Sequence, residues 1–76
     1  MQVYGRFNHF GRVHLWLRRE SFEAGEASDH WLDPKVDPIW RENPPDAESL
    51  ARMAGGELVE IPDPGYFSES DSDGMA

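Results

Sequence analysis

The sequence predicts an α+β domain: a small three-stranded antiparallel sheet in β-β-α-β order, with one helix on a face. Three stretches carry that expectation. QVYGRF (2–7) and RVHLWLRR (12–19) alternate side chains at the two-residue period of a strand, and NHFG (8–11) between them is turn chemistry. ENPPDAESLARMAGG (42–56) carries helix start and stop signals at its two ends. ELVEI (57–61) then alternates again.

In the hairpin, Val3, Phe7, Val13, Leu15 and Leu17 share one face and form the expected core, with Gly5 beside them. Asn8 suits the first position of the turn, and Gly11 reaches positive φ at little cost. A lone hairpin is marginal in water, so its apolar face must pack on something. Residues 20–28 are polar around Gly25 and read as a loop anchored by Phe22. WLDPKVDPIW (31–40) then holds Asp-Pro twice between two tryptophans. Proline lacks an amide hydrogen and has a fixed φ, so it fits the first position of a helix and not its interior. Asp37-Pro38 is expected to open one turn through Arg41, and Asp33 to serve similarly as a cap.

The helix has Asp46 and Glu48 in its first turn, Arg52 in its last, and Gly55-Gly56 at its end. Acid first and base last matches the helix dipole, and Glu48 to Arg52 is a favourable i,i+4 pair. Ala47, Leu50, Ala51 and Ala54 share a narrow face, with Met53 at its edge. In the third strand Val59 and Ile61 face the core, opposite Leu58 and Glu60. Pro64-Gly65 suits a type II turn, after which Tyr66 and Phe67 dock. Residues 1–67 are expected to be one domain, and 68–76, SESDSDGMA, a disordered acidic tail. The 20–45 segment is long for a structureless connection, and Phe22, Trp31 and Trp40 are expected to pack it over the second face of the sheet.

Composition bounds the function. A 76-residue chain buries a small core and is marginally stable alone. It has no cysteine, hence no disulfide framework. Met1 leads straight into a patterned stretch, as a complete small gene product would. With no signal peptide to read, the cytoplasm of a host cell is the expected location. No apolar run approaches the roughly 20 residues that span a bilayer, so no membrane partner is expected. Net charge is −8 and unevenly spread. Residues 1–19 hold Arg6, Arg12, Arg18 and Arg19 and no acid; residues 20–76 hold all fifteen acids against three cations, a net −12.

Catalytic signals are weak. His9, His14 and His30 have no predictable acid or nucleophile beside them. Asp29-His30-x-x-Asp33 matches no recognised metal motif, and Gly55-Gly56 lies at the wrong end of a helix to cradle a phosphate. No enzyme activity, cofactor or metal is expected.

The outer face of the hairpin raises the sharper question, because Trp16 stands there among cations. Tyr4, Arg6, Arg12, Trp16 and Arg18 form an alternative nucleic-acid face, with aromatics to stack bases and arginines to hold phosphates. The competing expectation is internal: acids from 20 to 48 fold back onto Arg6, Arg12 and Arg18, while Trp31 or Trp40 packs on Trp16. Few positive charges and a −12 remainder weigh against a polyanionic ligand, so direct nucleic-acid binding is not expected.

The acids are the remaining functional signal. Asp29, Asp33, Asp37, Glu42, Asp46 and Glu48 recur every two to five residues, with Trp31 and Trp40 interleaved. Spaced carboxylates can imitate a phosphate backbone toward a basic groove, and aromatics supply hot spots. In size, acidity and lack of cysteine or catalytic signature, the chain resembles small phage and mobile-element proteins that inhibit host machinery, anti-CRISPR proteins among them. That resemblance implies a non-enzymatic, protein-binding inhibitor, a monomer or weak dimer. Its partner would be a basic, nucleic-acid-handling host protein. An accessory subunit pairing through a sheet edge is a further alternative. In the tail, Ser68 and Ser70 each have an acid three residues on, as acidophilic kinases favour.

Overall fold

The computed structural model describes residues 2–67, and the expected acidic tail lies outside them. Its elements are β1 (Gln2–Phe7), β2 (Val13–Trp16), α1 (Arg19–Glu23), β3 (His30–Leu32), α2 (Pro38–Glu42), α3 (Ala47–Ala54) and β4 (Val59–Pro62). The α+β class stands, but the antiparallel sheet has four strands, in the order β3-β2-β1-β4.

The hairpin forms where alternation places it, with Tyr4 opposite Trp16 and Phe7 opposite Val13. Its turn is tied by Asn8, whose Oδ1 accepts the amides of Phe10 (2.9 Å) and Arg12 (3.0 Å), and Gly11 takes φ +82°. The added strand, β3, pairs with β2 and sets Trp31 opposite His14. Three residues are too few for alternation to be visible in sequence. Asp29 starts this strand: its amide donates to the Leu15 carbonyl, and its Oδ2 accepts from the Leu17 amide (2.8 Å).

Val3, Gly5, Val13, Leu15, Leu32, Val59 and Ile61 are buried on one face, joined by Trp40 and Met53. Leu17 is not among them. It lies 37% exposed, because β2 ends at Trp16 and the alternation stops applying. The helix face also differs from expectation. Met53 is fully buried and Leu50 half-buried, while Ala47, Ala51 and Ala54 are exposed. Burial goes to the side chains with most apolar area, and Gly5 makes room for Met53, whose Sδ would lie 3.1 Å from a Cβ at that position.

The 20–45 segment divides three ways instead of wrapping one face. Residues expected as loop form the five-residue α1, with an Arg19–Glu23 pair along it and Phe22 on Trp16. Residues 30–32 widen the sheet. Asp37 caps α2 by accepting the amides of Ile39 and Trp40, as Asp-Pro predicts, and α2 carries Trp40 into the core. Asp33 closes a turn, with Oδ1 accepting from the Lys35 amide at 3.0 Å. Asp46 is the N-cap of α3 and not part of its first turn. Arg52 pairs with Glu57 in place of Glu48. Among the described residues no helix is long and apolar enough to cross a membrane.

Candidate functional site

Two surfaces were expected to carry function, and the fold treats them differently. On the outer face of the sheet, Trp16 is covered from within the chain and retains 7% of its exposure. The cover is neither Trp31 nor Trp40. Phe22 meets the indole edge-on at 5.0 Å between centroids, and the indole Nε1 donates to the Glu26 carbonyl at 3.0 Å. A tryptophan buried with its N–H satisfied is a packing residue, so Trp16 has no free face for a base.

Among the described residues the arginines of that face meet no acid. Arg6, Arg12 and Arg18 form no ion pair with a described residue. Arg6 lies 5.6 Å from the centre of the Phe22 ring, and Arg12 lies 5.2 Å from that of Trp31. The expected fold-back of carboxylates is thus replaced by cation–π contacts. Tyr4, opposite Trp16 and Glu60, is half-buried.

His14 sits between these cations. The Asn8 amide Nδ2 donates to His14 Nε2 (3.1 Å), since Asn8 Oδ1 is already occupied by backbone amides. His14 Nδ1 therefore carries the proton and donates to Ser28 Oγ (2.8 Å). Burial, and then the charges of Arg6 and Arg12, lower its pKa from 6.5. The ring is a neutral strut between the hairpin turn and the strand-leading loop.

Of the expected partner-binding acids, Asp29, Asp33, Asp37 and Asp46 each accept at least one backbone amide of their own neighbourhood. Burial pushes the Asp37 pKa up, but the Tyr66 hydroxyl, donating at 2.7 Å, and the capping amides outweigh it and hold the carboxyl below its usual range. The same contact, with burial first, pushes the Tyr66 hydroxyl well up. Asp46 is lowered by the Ser49 side chain and by backbone amides. Glu42 and Glu48 are exposed and hold no such bond. Trp40 is in the core at 4% exposure and is withdrawn from the surface, whereas Trp31 is 56% exposed.

Sequence reasoning missed Val36, exposed to 68% between the two Asp-Pro turns, and Ile39 beside it. The signal was available: a turn closed by two prolines gives an intervening valine no strand or helix to bury it. It also missed Asp63, which accepts the amides of Gly65, Tyr66 and Phe67 and so docks Tyr66 over His30, 4.6 Å ring to ring. Among the described residues no three His, Asp or Glu side chains are grouped to hold a metal ion. Protein-family models, curated proteins and solved structures give no match to this chain.

Proposed function

We propose that the protein is a non-enzymatic, protein-binding inhibitor of the phage or mobile-element kind, anti-CRISPR-like in its action. Its acidic surface occupies a basic nucleic-acid-binding site on a host protein. One observation supports this reading above the others. The segment 29–42 exposes Trp31, Val36 and Ile39 among Asp29, Asp33, Asp37 and Glu42. Large exposed apolar side chains are interface anchors when they cluster with complementary charge. Three of those carboxylates also accept backbone amides, Asp29 from Leu17, Asp33 from Lys35 and Asp37 from Ile39, so fixing them in a complex costs little side-chain entropy. Glu48 and Asp46 extend the acidic surface, and Trp31 takes the anchoring role shared at first with Trp40.

The test is capture of host proteins on the immobilised full chain, challenged with duplex DNA. Basic proteins should be retained, released by DNA or by salt, and lost from a Glu42→Lys, Glu48→Lys, Trp31→Ala variant, which spares every cap. Retention indifferent to DNA, salt and the triple change would overturn the reading. A second reading, direct single-strand binding, is favoured by the Arg12–Trp31 contact, an exposed ring beside an unpaired cation. Its check is retardation of an oligonucleotide by wild type and not by Arg12→Ala.

A further inference from the structure

Between the hairpin and the end of α3 lies a cleft of about 590 Å³. It is lined by Arg6, Asn8, His9 and His14 from the hairpin and by Gly55 and Gly56 after α3. No carboxylate lines it among the described residues. His14 is held neutral and its two nitrogens are committed to Asn8 and Ser28. Among the described residues, Arg6 is the one arginine or lysine in the lining of the cleft.

Arg6 is unusual in what it lacks. It is half-buried, and its Nε is shut off from solvent without a hydrogen-bond partner. It makes no ion pair with a described residue; the Phe22 ring lies 5.6 Å from its Cζ, and its charge is close enough to His14 to lower the pKa of that ring. Its Nη2 reaches toward Gly56, 4.0 Å from where a Cβ would stand. A buried donor without an acceptor is costly, more so on a charged group, and native folds satisfy such groups. An acceptor from outside the chain cannot reach the shielded Nε, but the two Nη groups donate to no described residue and remain open to one. A guanidinium presents its donors as a planar fork, which matches the oxygens of a phosphate or carboxylate two at a time.

We infer that the cleft is an anion-binding site that takes a phosphate monoester on the Arg6 guanidinium. Its volume falls within the range of small-molecule sites, roughly 300–1,000 Å³. The phosphate is then one end of a larger ligand, of nucleotide size, whose remainder lies along Asn8 and His9. Ala54, Gly55 and Gly56 give that side of the cleft no side chain larger than a methyl group. This inference does not rest on the inhibitor reading, because the acidic segment 29–42 contributes nothing to the cleft.

The experiment is NMR titration of the uniformly labelled full chain with inorganic phosphate, a nucleoside monophosphate, acetate and a short single-stranded oligonucleotide. Saturable shifts are expected at the Arg6 side chain and at the amides of His9 and Gly56. The nucleoside monophosphate should bind more tightly than phosphate, and acetate more weakly. Arg6→Lys, which keeps the charge but not the fork, should weaken binding by roughly tenfold. Arg18→Gln, exposed and outside the cleft, should leave it unchanged. Wild-type shift mapping stands even if Arg6 variants fold poorly. No saturable shift at Arg6 with millimolar phosphate or nucleotide would overturn the site. Acetate binding as tightly as phosphate would overturn the phosphate assignment, and the oligonucleotide alone binding would overturn the small-molecule one. Loss of binding in Arg18→Gln would show the effect to be one of net charge.

Discussion

On one face of the sheet Val3, Val13, Leu15 and Ile61 lose all solvent contact beneath Met53 and Trp40. On the other, Trp16 is covered by Phe22, while Trp31 one strand away stays more than half exposed. The first face is closed by area: apolar side chains from α2, α3 and β4 join those of the hairpin, with no polar residue among the described ones that are buried. The second is closed by single contacts, an edge-on ring, an indole N–H on a carbonyl, two guanidinium groups over aromatic rings. The difference teaches where a domain this small can bind. Its helices can seal one face only, and the partly covered face is left to interact.

The largest test of this contrast removes apolar area from the sealed face. Trp40→Ala should cost about 3–5 kcal/mol and Leu15→Ala about 2–5 kcal/mol, the usual range for buried positions. Either approaches the whole stability of a small domain. Urea denaturation followed by far-UV circular dichroism measures both. A Trp40→Ala protein as stable as wild type would place that tryptophan outside the core and return it to the surface.

A smaller effect should come from the close approach that α3 makes to β1. A Cβ at Gly5 would stand 3.0 Å from Leu15 Cδ2 and 3.1 Å from Met53 Sδ. Gly5→Ala therefore overpacks the centre of the core and should cost about 1–3 kcal/mol. Because both neighbours are the ends of flexible side chains, the lower figure is expected. A stabilised Gly5→Ala protein would mean that the helix stands further from the sheet.

These same positions show how much the sequence made legible. Period-two alternation placed Val3, Val13, Leu15, Val59 and Ile61 correctly, because their three strands are paired along their length. Leu17 was misplaced because alternation cannot say where pairing stops. The strand around Trp31 was missed because its pairing is decided by Asp29 and by β2, not by its own three residues. Asp-Pro chemistry located the Asp37 cap and α2, since capping is local. Which tryptophan fills the core was not local: Trp40 and Trp31 differ only in where α2 and β3 point them. For the candidate site, the acids were visible, but their engagement as caps and turn-closers was only partly so. The cleft at Arg6 was invisible, since it needs β1 and the end of α3 side by side.

Tyr66 offers a test at about 1 kcal/mol, where a side chain after the last strand locks α2 to the core side. Tyr66→Phe removes the hydroxyl that donates to Asp37, a hydrogen bond worth about 1 kcal/mol net. The folded Asp37 pKa lies below its ordinary 3.8, so its contribution is present above that value and is lost as pH falls through the folded pKa. The gap between wild type and Tyr66→Phe should thus be full at neutral pH and close in acid. A gap that persisted unchanged in acid would show that the hydroxyl acts through packing and not through the ionised carboxylate.

The change that separates the two faces most cleanly is made on the outer one. Trp31→Ala removes an indole as large as that of Trp40, yet it gives up less than half of the residue's area and one cation–π contact with Arg12. At an exposed site such a contact is worth about 0.5–1 kcal/mol, and with the covered part of the ring the loss of stability should be about 1–2 kcal/mol, well below that of Trp40→Ala. Fluorescence gives the second readout. In wild type, acrylamide should quench one class of tryptophan readily and two classes poorly, because Trp31 is open and Trp16 and Trp40 are not. Trp31→Ala should abolish the readily quenched class and leave the shielded emission unchanged. Phe22→Ala should do the reverse, making Trp16 quenchable by removing the ring that covers it. If Trp31→Ala instead destabilises the protein as much as Trp40→Ala, the outer face is sealed as tightly as the core. Trp31 would then be a structural residue with no surface to offer a partner.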